Sequence, residues 1–302
     1  MNASIALFLK GLAMGAANVI PGVSGGTIAL ITGIYERLIN TIKQCDFRAI
    51  KYLIGRDWKG FWQHIDGNWL FILLGGVAAS IVSLARLFEY LLAHHERNTM
   101  AFFFGLILLS IFYVAKRVKN WNATAYLSLL AGIVVAISIA LLAPASENDS
   151  AFYVFLCGVV AISSMILPGL SGSFVLIMMG NYALVLSAIN TFSLNILIPL
   201  ALGCGFGLIA FSHILAWVFK RYADQTLALM TGFVVGSLVV IWPWKNTITH
   251  TVERLGKPPK EVVSSYEWYM PNLSDSSTWL AVALMILGAL LIAFMERYAD
   301  PD

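Results

Sequence analysis

The sequence predicts an all-α integral membrane protein built as an inverted repeat, each half a re-entrant helical hairpin plus three transmembrane helices. Three observations lead there. Of the 302 residues, 59% are hydrophobic and only 12% charged, against roughly 25% charged in an ordinary soluble domain. A proline- and glycine-broken stretch, Val19-Ile20-Pro21-Gly22-Val23-Ser24-Gly25-Gly26-Thr27, has a second copy in Ile166-Leu167-Pro168-Gly169-Leu170-Ser171-Gly172-Ser173-Phe174. Basic residues gather in alternate loops, which orients the two copies in opposite senses across a bilayer.

Apolar stretches run roughly over 4–20, 24–42, 69–93, 100–118, 124–143, 151–167, 172–190, 195–219, 226–244 and 278–295. The first two, and the pair at 151–167 and 172–190, flank the broken motifs. Stretch 4–20 contains Lys10, and 24–42 meets Glu36-Arg37 soon after the break. A full crossing needs about 20 apolar residues, so these are half-membrane helices, predicted as re-entrant hairpins rather than two kinked spans per half. The other six stretches are predicted to span. Lys10 also interrupts the first apolar run, which argues against a cleavable signal.

The halves are 1–143 and 151–302, joined by the acidic linker 144–150, and they match beyond the motif. Each copy is followed by Gly-x-Tyr, as Gly33-Ile34-Tyr35 and Gly180-Asn181-Tyr182. Thr99-Met100-Ala101 with Gly105 aligns with Thr226-Leu227-Ala228 with Gly232, the mark of an internal duplication. Lys43, Arg48, Lys51, Arg56 and Lys59 mark one cytoplasmic loop, Lys116, Arg117 and Lys119 a second, and Lys220 with Arg221 a third. The linker 144–150 has no basic residue and is expected outside, with both termini in the cytoplasm.

One insertion, 46–68, is predicted as a single interfacial helix. Phe47, Ile50, Ile54, Trp58, Phe61 and Ile65 recur at helical spacing with the basic residues elsewhere on the wheel. It either fixes tilt or gathers anionic lipid. The segment 245–277, of mixed charge with Pro258-Pro259 and three aromatics, is expected to cap the outer mouth. The odd cysteine count (Cys45, Cys157, Cys204) suggests neither a disulfide framework nor a metal site.

Proline lacks a backbone donor and glycine tolerates positive φ, so neither motif continues a helix. A helix that starts inside a membrane offers N–H groups and the positive end of its dipole. Gly22, Ser24, Gly25, Gly26 and Thr27, with Gly169, Ser171, Gly172 and Ser173, are the residues expected at an anion site near the midplane. Broken helices at a repeat interface are the recurring plan of alternating-access carriers; the alternative is that the small residues only allow close helix crossing.

Intramembrane charge is the second clue, since it is costly and usually functional. Arg86 lies in stretch 69–93 with Glu89 one turn later, and alignment of the halves places Arg86 opposite His213. Arg86 could pair with a phosphate in bidentate fashion or snorkel to the interface. His213, Glu36, Arg37 and Glu89 are candidates for coupling; histidine titrates near neutral pH.

The paired motifs at Pro21–Gly26 and Pro168–Ser173, with Gly33-Ile34-Tyr35-Glu36-Arg37 after the first, resemble those of the bacterial polyprenyl-phosphate transporters. The resemblance covers nearly the whole chain. It implies translocation of undecaprenyl phosphate from the outer to the cytoplasmic leaflet of the plasma membrane, for reuse in cell-wall synthesis. The phosphate would sit at the two breaks while the tail stays in the bilayer. Expected partners are that lipid and the surrounding membrane lipids, not nucleic acid. No cofactor is expected beyond a coupling proton. The second motif departs at Ser173 for Gly26 and Phe174 for Thr27, which implies a weaker second half-site. Two rivals stand beside this reading. One is a carrier of a small soluble anion on the same scaffold. The other is an enzyme acting on a lipid phosphate, for which His64, His94, His95 and His250 lack a catalytic spacing.

Overall fold

The computed structural model describes residues 3–19, 24–141, 145–254 and 257–297. In order they form α1 (Ala3–Val19), α2 (Gly25–Ile31), α3 (Tyr35–Lys43), α4 (Phe47–Ile54), α5 (Trp58–His64), α6 (Gly67–Lys116), α7 (Ala123–Leu141), α8 (Ala151–Ile166), α9 (Gly172–Met178), α10 (Tyr182–Thr191), α11 (Leu194–Arg221), α12 (Ala223–Ile241), β1 (Lys245–Arg254), β2 (Lys257–Trp268) and α13 (Ser276–Arg297).

Five helices among the described residues are long and apolar enough to cross a membrane: His94–Lys116, Ala123–Leu141, Leu194–Arg221, Ala223–Ile241 and Ser276–Phe294. Five of the six predicted spans are these. The sixth, 69–93, is the first arm of α6, which turns at His95 (φ −138°, ψ 39°). Thr99 Oγ1 donates to His95 O at 2.9 Å and lies 3.4 Å from Leu91 O, eight residues back. Eight residues of straight helix rise about 12 Å, so the two arms fold back on each other.

Helix packing is set by glycine, because lipid tails give apolar helices no reason to associate except close fit. A Cβ on Gly11 or Gly76 would overlap backbone of the facing helix, which joins α1 to the first arm of α6. Gly158 and Gly203 do the same for α8 and α11. Gly105 and Gly288 join the second arm of α6 to α13, and Gly132 and Gly232 join α7 to α12. The contacts therefore recur with the halves exchanged: the helix that carries the Thr and Gly anchors in one half packs on the last helix of the other.

Each stretch leaving a broken motif was expected to be one helix, and each is two. α2 ends in a Schellman turn, with Ile34 N donating to Ala29 O (3.0 Å) and Gly33 at φ +78°. α9 ends in the same way, with Asn181 N on Leu176 O (3.0 Å) and Gly180 at φ +74°. This is the structural meaning of the repeated Gly-x-Tyr. Between α9 and Tyr182–Ile189 the chain bends by 115°. The carbonyls at the equivalent ends are satisfied by different means. Arg117 Nη2 donates to Ile31 O at 2.8 Å, and the Ala145 N–H donates to Met178 O at 2.8 Å.

One further expectation is corrected. The insertion 46–68 is two short helices, not one, because it holds two N-caps. Asp46 accepts from Arg48 N (2.8 Å) and Ala49 N (3.1 Å), and Asp57 accepts from Gly60 N (2.8 Å). Between them Gly55 ends α4 and Arg56 takes φ +54°. Phe47, Ile50, Ile54 and Trp58 are exposed as an interfacial element requires, whereas Ile65 is buried. Within this all-α fold the segment 245–277, expected as a cap, holds one hairpin. β1 and β2 pair antiparallel from Lys245↔Trp268 through Thr247↔Tyr266 and Thr251↔Glu261. Thr247, Ile248, Thr249, Thr251 and Val252, against Val262 and Val263, supply the β-branched residues that suit a strand.

The two broken helices as a candidate functional site

The two breaks are bonded to each other. Ser24 takes extended backbone (φ −114°, ψ 133°) and caps α2, its hydroxyl accepting from Gly26 N at 3.2 Å. The same hydroxyl lies 3.3 Å from Leu167 O and 3.5 Å from Met165 O, at the end of α8. Gly169 N donates to Thr27 Oγ1 at 2.9 Å, and Tyr35 Oη donates to Ile166 O at 2.9 Å. The start of α2 thus meets the carbonyl end of α8, positive dipole end to negative.

These contacts occupy the donors that sequence offers to an anion at the first break. Gly25 N donates to Asn18 Oδ1 at 2.9 Å and Gly26 N to Ser24, while Thr27 N bonds Ser24 O at 3.0 Å. Ser24 and Thr27 are buried, as is every residue of α2. Gly25 and Gly26 have no room for a side chain: a Cβ on Gly26 would stand 2.7 Å from Ile166 O, and one on Gly25 2.7 Å from Asn18 Oδ1. Gly22 lies outside the described residues.

The second break is organised differently. Ser171 is extended (φ −108°, ψ 129°) but makes no capping bond; its Oγ lies 2.8 Å from Ser173 Oγ. Ser171 is half-buried and Ser173 exposed, so this hydroxyl pair stays accessible. A cavity of about 20 Å³ opens beside it, lined by Gly169, Leu170, Ser171, Phe174, Ser237 and Ala136 among others. A space of that size holds about one water and no phosphate. Gly169 adopts φ +81°, and its Cβ would stand 2.6 Å from the Phe233 carbonyl carbon. Gly172 packs on α8, where a Cβ would meet Met165 Cγ at 2.5 Å.

The charged candidates are not gathered at the breaks by any contact the structure shows. Arg37 bonds Asp66 Oδ2 through Nε (2.9 Å) and Nη2 (2.7 Å), and lies 5.0 Å from the centre of the Trp69 ring. It therefore latches α3 to the start of α6 rather than pairing with Glu36, which is exposed. Both partners of this pair are well exposed (57% and 37%). A double-mutant cycle on Arg37→Ala and Asp66→Ala, followed by thermal unfolding, should return a coupling below about 1 kcal/mol. His213 is half-buried with Nδ1 on Ile209 O at 2.9 Å, one turn back on α11. The side chains of Arg86 and Glu89 lie outside the described residues.

Sequence reasoning passed over three residues that build this region. Asn18 caps Gly25 through a side chain seven residues away. Tyr35, fully buried against Phe219 (ring centres 5.8 Å apart), carries a third hydroxyl bond onto the second break. The repetition of Gly-x-Tyr was its signal. Arg117 had been counted only as a loop charge.

Comparison with known proteins finds relatives along nearly the whole chain. A family model described as VCA0040-like, undecaprenyl phosphate translocase-like, matches residues 14–258. A polyprenyl-phosphate transporter of Vibrio cholerae is 41% identical over 299 residues, covering 98% of this chain and 97% of its own. A polyprenyl-phosphate transporter of Staphylococcus aureus is 36% identical over 254 residues, 78% of this chain and 85% of its own. No solved structure matches. With residues 14–258 inside the family model, both broken motifs among them, and a relative 41% identical along 98% of the chain, the chain belongs to the undecaprenyl phosphate translocase-like family.

Proposed function

We propose that this protein moves a polyprenyl phosphate, undecaprenyl phosphate in particular, from the outer to the cytoplasmic leaflet of a plasma membrane. The phosphate is held in turn at the two breaks, and the two halves are oppositely oriented with both termini cytoplasmic. The observation that carries the reading is the direct bonding of one break to the other through Ser24, Thr27 and Tyr35. A carrier needs a site at the interface of its halves that can close. Here the closed arrangement is stabilised by hydroxyls of one motif on backbone groups of the other.

The accessible hydroxyls of Ser171 and Ser173 are the first groups a phosphate meets in this state. Their geometry favours the second break as the receptive one, against the weaker role that its departures from the first motif imply. For the anion to enter, Gly169 N and the Ser24 hydroxyl exchange their partners for phosphate oxygens, which are stronger acceptors. Arg86 remains a candidate for the phosphate. His213, with its Nδ1 against Ile209 O, and Glu36 remain coupling candidates.

Liposomes carrying labelled undecaprenyl phosphate on one leaflet test the reading. Exchange should require the protein. It should fall about tenfold or more in the double variant Ser171→Ala, Ser173→Ala, since a hydrogen bond to a charged group is worth about 1.5–3 kcal/mol. That variant should melt with the wild type, because among the described residues the two side chains bond each other. No protein-dependent exchange, with uptake of inorganic phosphate in the same vesicles, would instead favour the small-anion carrier.

A further inference from the structure

At the far end of α12 from Ala223, the last turn is a shared wall. One side faces the small cavity at the second break through Ser237 and Val240. The other faces a larger, open cleft of about 420 Å³, lined by Phe104, Leu238, Val239, Trp242, Tyr269 and Met270. That volume falls within the roughly 300–1,000 Å³ range of ligand pockets. The cleft lies between the second arm of α6, the end of α12 and the chain that leaves β2.

Its polar handles are held by the protein. Trp242 Nε1 donates to Tyr269 O at 3.3 Å, Trp268 Nε1 to Val239 O at 2.9 Å, and Arg97 Nη2 to Tyr269 Oη at 3.1 Å. What is left to line the cleft is ring faces and methyl groups. Charge of both signs stands at its edge: Arg97, 4.0 Å from Asp275 Oδ2, is bonded to the lining Tyr269, and Lys245, with Glu96 near enough to act on it, donates through Nζ to Val240 O, next in the chain to Val239.

We propose that this cleft seats the hydrocarbon tail of the polyprenyl phosphate, and is the side opening through which the tail follows its headgroup. The inference rests on the function proposed above. Two features select this occupant. An apolar, aromatic wall suits a branched chain that makes many dispersion contacts. The wall shared with the second break places tail and headgroup on two sides of one helical turn.

The test uses full-length protein in lipid nanodiscs with undecaprenyl phosphate carrying a diazirine on one of the isoprene units nearest the phosphate. After irradiation, adducts should concentrate on 238–242 and 268–270. Excess unlabelled undecaprenyl phosphate should suppress them; excess phosphatidylcholine or inorganic phosphate should not. Val239→Trp fills the cleft from the helix, and Met270→Trp fills it from an exposed position where folding is not at stake. Each should lower both adduct yield and leaflet exchange about tenfold, the scale of an overfilled site. Adducts scattered like those of a diazirine phosphatidylcholine, with wild-type exchange intact, would overturn the cleft and leave the carrier reading standing. Absence of wild-type exchange would overturn both.

Discussion

Gly169→Val should be the most damaging single substitution at the breaks, costing about 2–5 kcal/mol. Two effects add. Gly169 sits at φ +81°, where an L-residue loses about 1–2 kcal/mol. Its Cβ would also stand 2.6 Å from the Phe233 carbonyl carbon and 2.7 Å from Val234 N, both backbone of α12. Overpacking of this kind costs about 1–3 kcal/mol, and backbone cannot swing aside as a side chain can. Thermal unfolding of the detergent-purified protein would show it as a large drop in midpoint or as loss of the folded species. Gly75, whose Cβ would meet nothing within 4 Å, is the control, and Gly75→Ala should leave the midpoint in place. A midpoint for Gly169→Val that matches the control would mean that the second break does not have this backbone.

The second large effect is expected on the equilibrium between closed and open breaks. Tyr35→Phe removes the bond to Ile166 O without changing the packing on Phe219, and Thr27→Val removes the acceptor of Gly169 N while keeping its volume. A buried group left unpaired costs about 1–3 kcal/mol, whereas interhelical bonds in membranes average about 0.6 kcal/mol and reach about 1.7. The smaller scale applies here, so each change should weaken the closed arrangement by about 1 kcal/mol and the pair together by about 2. Since about 1.4 kcal/mol is tenfold in population, the double variant should open the breaks some thirtyfold more often. Ser24→Cys, read by the rate of thiol alkylation in a background lacking Cys45, Cys157 and Cys204, reports that opening, because Ser24 is buried when closed. Equal labelling rates with and without the Tyr35 and Thr27 changes would show that these bonds do not hold the breaks shut.

Much of the architecture was legible in the sequence because a membrane restricts what a chain can do. Long apolar stretches must be helices, since backbone groups in lipid have to pair internally. Five predicted spans therefore stand where expected, and α8 stops at Ile166, just before the second Pro-Gly motif. The Thr and Gly anchors that align the halves also mark real contacts, Gly105 against α13 and Gly232 against α7. The misses lie where local signals compete. Asp46 and Asp57 each cap a helix, so the insertion is two helices although its apolar spacing reads as one. The alternating β-branched residues after Trp244 form a hairpin within the segment expected as a cap.

By itself, then, the sequence determined the helices, the breaks and the duplicated anchors, because periodicity, proline, glycine and hydropathy act over a few residues. The partners of the polar groups were decided only by tertiary structure. Ser24, Thr27 and Tyr35 lie more than a hundred residues from the carbonyls and the N–H they bond. Arg37 chose Asp66 and Trp69 over the adjacent Glu36 because α3 comes to rest beside the start of α6. Two nearly identical motifs became unlike sites for the same reason. A hydroxyl bonds whatever polar group the packed helices bring within about 3 Å. At the first break that is the other half of the protein; at the second it is only a neighbouring serine, beside a space the size of one water.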